Sequence, residues 1–156
     1  MDRRVAVFGW VIATAILAGC AADKPMPDGS GTSGHATPPS LYERLGKKEA
    51  ITAVVDEFVT RVANDSRING KFATANIPRL KALLVEQICA ASGGPCTYTG
   101  RDMKTTHAGM GITNEQFDAL VGDLVAALNK FQVGEREKKE LLGALGPMRP
   151  DIVTAM

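Results

Sequence analysis

Phe117, Leu120, Val121, Leu124, Val125 and Leu128 recur at i, i+3, i+4, i+7, i+8 and i+11. That spacing lines one face of an α-helix and does not fit a strand. Thr113 and Gln116, three apart and just ahead of it, make a capping-box pattern. The same period appears in Ile51, Val54, Val55, Phe58, Val59 and Val62, predicting a helix from Lys48 to Asn64. Leu80, Leu83, Leu84 and Ile88 predict a third helix. Asn76 is its N-cap, Pro78 sits in its first turn, and Gly93-Gly94-Pro95 ends it. Leu141, Leu142, Leu145 and Met148 predict a last helix after Gly134, kinked or broken by Pro147 and Pro150. Leu41, Tyr42 and Leu45 form a short turn that stops at Gly46. Residues 65–75 read as polar, with an isolated Phe72, and residues 96–111 as loop with one helical turn around Asp102 to His107. Strand signals are weak throughout, so the expected domain is all-α.

The 156-residue chain divides into three stretches. Arg3 and Arg4 precede an apolar run from Val5 to Ala18 that is short for a membrane span and ends in small residues. Leu17-Ala18-Gly19-Cys20 has the pattern of a bacterial lipobox, which makes residues 1–19 a leader and Cys20 a lipidated first residue. An uncleaved anchor and an ordinary signal peptide are the alternatives. Residues 20–39, rich in Gly, Ser, Thr and Pro, read as a flexible tether, and His35 within them is not expected to bind metal. Residues 40–156 are enough for one packed core. Loss of Asp2, Arg3 and Arg4 takes the chain from 18 basic and 17 acidic side chains to 16 of each. That neutral balance gives no support for a nucleic-acid partner.

His107 is the one histidine outside the tether. It lies in an irregular segment just before Gly109-Met110-Gly111 and the capped helix. An imidazole there can offer iron one nitrogen while the helix behind supplies an apolar wall. The alternative is four helices packed on one another with a histidine that binds nothing. Glycines that let the backbone approach a flat ligand closely favour the first reading.

Gly93-Gly94-Pro95, Tyr98-Thr99-Gly100, Met103-Lys104 and His107 through Thr113 together resemble the group I truncated haemoglobins. The resemblance runs from Ser40 to about Val153, and Leu41 to Gly46 is similar to the family's opening segment, with Lys47 where a second glycine is common. It implies a two-over-two helical sandwich around haem b (iron protoporphyrin IX) with His107 as proximal ligand. Phe72 is implied to stack on the haem, Leu80 and Leu84 to face its distal side, and Met103, Ile112, Phe117 and Leu120 to line the porphyrin. Tyr98, Arg79 and Lys81 are candidates for the propionates, with a solvated face the alternative for the two cations.

The distal pocket, formed on this reading by Phe58, Val59, Leu80, Leu84, Gln87 and Ile88, departs from the family pattern. Val59 and Leu84 stand where a tyrosine and a glutamine commonly hold the oxygen that the haem binds. Neither can donate a hydrogen bond. Gln87 is the nearest polar residue by helical spacing. The resemblance therefore implies a non-enzymatic protein that binds oxygen, carbon monoxide or nitric oxide reversibly, with fast oxygen release and no internal sixth ligand. Nitric-oxide or peroxide detoxification at the same haem is one alternative, and a haem-free helical interaction lipoprotein is another. Lipidation at Cys20 would place the domain at a membrane on the extracytoplasmic side. No residue pattern names an electron donor. Cys89 and Cys96 flank the Gly-Gly-Pro reversal, and in an exported chain they are expected to pair; a buried small residue and a spare thiol are the alternative.

Overall fold

The computed structural model describes residues 37–155. The leader, Cys20, His35 and residues 20–36 of the tether lie outside them. Among the described residues there are helices and no strands. Helix α1 (Leu41–Arg44) opens on Ser40, whose side chain accepts from the backbone of Glu43 while Glu43 reaches back to Ser40. The chain then reverses at Gly46, at φ +89°, into α2 (Lys47–Asn64). A 3₁₀ turn, Asn69–Phe72, leads to α3 (Ile77–Ala91), where Asn76 accepts from the Arg79 N–H as the sequence predicts. Next come α4 (Met103–His107) and α5 (Asn114–Lys130), the latter with the full Thr113/Gln116 capping box. Helix α6 (Glu135–Leu145) runs into a second 3₁₀ turn at Gly146–Met148. Helix α7 (Arg149–Ile152) follows, so the two late prolines break the helix where expected.

Helix α2 is the common neighbour: it packs on α3 and on α5, while α6 closes against α1 and α3, and α7 against α4. Its buried stripe, Ile51 to Val62, is the one its period predicts. Val55, Cys89, Ala127, Leu128 and Leu141 are shut off from solvent where these elements meet. Residues 65–75 are less open than their polarity suggests. Ile68 is buried in the core, and a single apolar residue carries no period by which to find it. Across the surface, Arg44 of α1 ion-pairs with Glu137 and Glu140 of α6.

Cys89, fully buried near the end of α3, is bonded to Cys96, with their Cα atoms 5.7 Å apart. A loop this short yields about 2–3 kcal/mol from constraint of the unfolded chain. More useful here is where the bond acts. It fixes the end of α3 to the strap of chain that leads through Tyr98 to α4.

Candidate functional site

A cavity of about 550 Å³ lies between α2, α3, α4, α5 and the C-terminal turns, within the range of about 300–1,000 Å³ common to cofactor sites. Its walls are mostly apolar. Phe58, Val59 and Val62 come from α2, Leu80, Leu83, Leu84 and Ile88 from α3, and Phe117, Leu120, Val121 and Leu124 from α5.

Helix α4 ends on His107, which lies in the cavity wall. Asp102 caps it by accepting from the Thr105 N–H at 2.8 Å, and that backbone hydrogen bond holds the Asp102 carboxyl below its usual range. His107 is the last residue of the helix, and its Nδ1 lies 2.8 Å from the Met103 carbonyl oxygen. A carbonyl only accepts, so Nδ1 carries the hydrogen, and in the neutral ring Nε2 is left with its lone pair. The chain escapes from the helix through Gly109 at φ +75° and Gly111 at φ +57°, conformations that disfavour side chains. Lys71, on the 3₁₀ turn beside Phe72, donates to the Met110 carbonyl at 2.6 Å and so ties this segment to that turn.

Tyr98 lines the cavity and donates its hydroxyl to the Arg101 carbonyl at 3.0 Å. Burial, reinforced by the charge of Glu86, pushes its phenol up. A side chain at Gly100 would collide with the Tyr98 ring, which is why the Tyr-Thr-Gly order suits this bend. The Glu86 carboxylate accepts from Thr99 at its N–H (2.9 Å) and hydroxyl (2.8 Å), so strap and α3 are joined a second time. Gln87 reaches into the cavity, where its amide meets the thioether sulfurs of Met148 at 3.0 Å and Met103 at 3.7 Å, both weak acceptors.

Phe72, Leu80, Leu84, Tyr98, Met103, His107, Phe117 and Leu120 all line this one cavity, and so do Phe58, Val59, Gln87 and Ile88. Three expected residues do not. Ile112 is buried, but its backbone is engaged by the C-terminus: its N–H donates to the Thr154 hydroxyl at 3.2 Å and its carbonyl accepts from Thr154 and Ala155. Lys81, one residue past Leu80, is turned roughly 100° off the cavity face and pairs with Asp56 of α2 at 2.8 Å. Arg79 is exposed and outside the lining, close enough for its charge to act on the Tyr98 phenol. The sequence reading, in turn, missed the contribution of Leu142, Leu145, Met148, Arg149 and Ile152. Leu142, Leu145 and Met148 were signalled only by the apolar period of the last helix, which shows that a face is buried and not what it faces, and Arg149 and Ile152 lie outside that period.

Among the described residues no three of His, Cys, Asp or Glu converge. A metal held by His107 would need its other ligands from a group that brings its own, as a tetrapyrrole does. The apolar slab and single imidazole fit such a group.

Residues 40–154 match the family described as Bacterial-like globin. The chain belongs to that family. Among curated relatives, this globin is 43% identical over 119 residues to the group 1 truncated hemoglobin GlbN of Mycolicibacterium paratuberculosis, covering 76% of this chain and 88% of that one. It is 34% identical over 111 residues to the GlbN of Synechocystis, covering 69% and 90%. Among solved structures it resembles the Fe(III) form of Tetrahymena pyriformis truncated hemoglobin, with a TM-score of 0.71 and 28% identity over 74% of this chain and 98% of that one. The 2/2 hemoglobin of a Synechococcus species, in its cyanomet state with covalently attached heme, gives a TM-score of 0.70 at 29% identity, with the same coverage. The fold of this globin is thus the two-over-two helical sandwich, and its family implies a haem cofactor and haem-based gas binding.

Proposed function

We propose that this globin binds a diatomic gas reversibly, most simply oxygen, at a haem b whose iron takes Nε2 of His107. The observation that carries the reading is the 2.8 Å hydrogen bond from His107 Nδ1 to the Met103 carbonyl. Metal-bound histidines commonly donate their second ring nitrogen in this way, which fixes the tautomer and the ring's orientation. Ferrous haem supplies a coordination position at which such gases bind. The chain supplies the rest. Phe72, Met103, Phe117 and Leu120 pack the pigment, and Leu80, Leu84, Phe58, Val59 and Ile88 exclude water from the distal side. With Val59 and Leu84 unable to donate, the wall favours ligands that need little hydrogen bonding, such as carbon monoxide and nitric oxide, relative to oxygen.

The test is the absorption spectrum of the hemin-loaded, reduced protein. A Soret band should shift on adding carbon monoxide and, separately, oxygen, and the oxygen spectrum should revert when the gas is removed. A colourless protein that refuses hemin would end this reading.

We also propose that the domain is carried on a lipidated Cys20 at the extracytoplasmic face of a membrane, on the strength of Leu17-Ala18-Gly19-Cys20 and the tether that follows. Palmitate label should enter the expressed protein and vanish in Cys20→Ser; equal labelling of the two would exclude it.

A further inference from the structure

The ammonium of Lys71 is bonded to main chain. It donates to the Met110 carbonyl at 2.6 Å and to the Gly111 carbonyl at 3.3 Å, 39 and 40 positions further along. We infer that Lys71 is a positioning residue for His107, an inference that rests on the haem reading above. It joins the turn that carries Phe72 to the turn that begins at the iron's ligand.

Both ends of this tie are built locally. His107 to Met110 form a type II β-turn. Ala108 sits at φ −55° and ψ 128°, Gly109 follows at φ +75°, and the Met110 N–H donates to the His107 carbonyl at 3.1 Å. A Cβ at Gly109 or Gly111 would meet nothing within 4 Å, so these glycines serve the backbone conformation and not a tight fit. The freedom that lets glycine adopt such a turn also makes the segment costly to order. Lys71 offsets that cost at Met110, which takes the ammonium on its carbonyl while its N–H holds His107. Two hydrogen bonds separate the lysine from the ligand.

The other end is firm. The Lys71 N–H donates to the Ile68 carbonyl at 2.9 Å, and Ile68 is 3% exposed in the core. In a 3₁₀ turn of roughly three residues, neighbours diverge by about 120°. Phe72 therefore lines the cavity while Lys71 reaches the loop. Two groups on different elements, Phe72 and His107, are held in register by one side chain. The His107 ring is fixed separately by Met103, and Ile112 by Thr154 and Ala155. Loss of the lysine should thus loosen residues 108–111 and leave their flanks in place.

The experiment compares the hemin-loaded full chain with Lys71→Met, which keeps an apolar stem, and Lys71→Arg, which keeps the charge. Hydrogen exchange at the Met110 amide should be about tenfold faster in Lys71→Met, the size of one charge-assisted hydrogen bond. The amides of α2 and α5 should be unchanged. In the reduced protein the iron–imidazole stretching band should shift and broaden, and Lys71→Arg should restore most of both signals. Unchanged exchange at Met110 would overturn the inference, because the tie would then hold nothing. Equal acceleration in α2 and α5 would overturn it too, since the lysine would then only support the fold. So would faster exchange with an unmoved band, which would mean that the turn does not orient the ring. A wild-type chain that takes up no hemin would end the haem reading and this role together, whereas uptake with any of those three results would end the role alone.

Discussion

In the hemin-loaded protein, His107→Gly should abolish the Soret signature of imidazole-ligated haem, and millimolar imidazole should bring it back. The substitution removes the ring that Met103 orients and leaves the α2, α3 and α5 seams untouched, since His107 is outside the buried core. Loss of an outer-shell partner alone commonly costs about 10–100-fold in metal affinity, so loss of the ligand itself should exceed that. Retention of the wild-type spectrum in His107→Gly would show that the iron is held elsewhere. Failure of imidazole to rescue a folded variant would show that the cavity does more than lack a ligand.

The second large effect concerns oxygen release. Val59→Tyr combined with Leu84→Gln adds two donors to a wall where both native side chains are apolar cavity liners. A hydrogen bond to a partly charged acceptor is worth about 1.5–3 kcal/mol, so oxygen should leave the double variant roughly ten to a hundred times more slowly. Carbon monoxide, a poorer acceptor, should change far less. Stopped-flow measurement of both off-rates separates a polar effect from a steric one. Equal slowing of the two gases, or no slowing, would contradict the account of the distal wall.

Most of this fold was legible because its signals are local. The Thr113/Gln116 box, the Asn76 cap and the breaks at Pro147 and Pro150 each act within one helical turn, and each appears where the spacing put it. The site was legible only where a family pattern supplied the third dimension. His107, Phe72 and Tyr98 came from that pattern and do share one cavity. Arg149 did not come from it, because nothing in a period says that the start of a four-residue helix will lie beside Phe117, 32 positions earlier. Lys81 is outside the cavity lining for a simpler reason: it sits beside Leu80 in the chain but pairs with Asp56 in space. Ile112 is outside the lining in a third way, since burial alone does not say whether a residue lines a cavity or secures a terminus.

One helix, α2, is wedged between α3 and α5. Drift along that helix is consequently constrained from two directions at once, since a bulkier Val55 must displace neighbours on both sides. Toward the cavity the helix turns Phe58, Val59 and Val62, which line its wall. A change at those three reshapes the cavity wall, whereas a change at Val55 strains both seams.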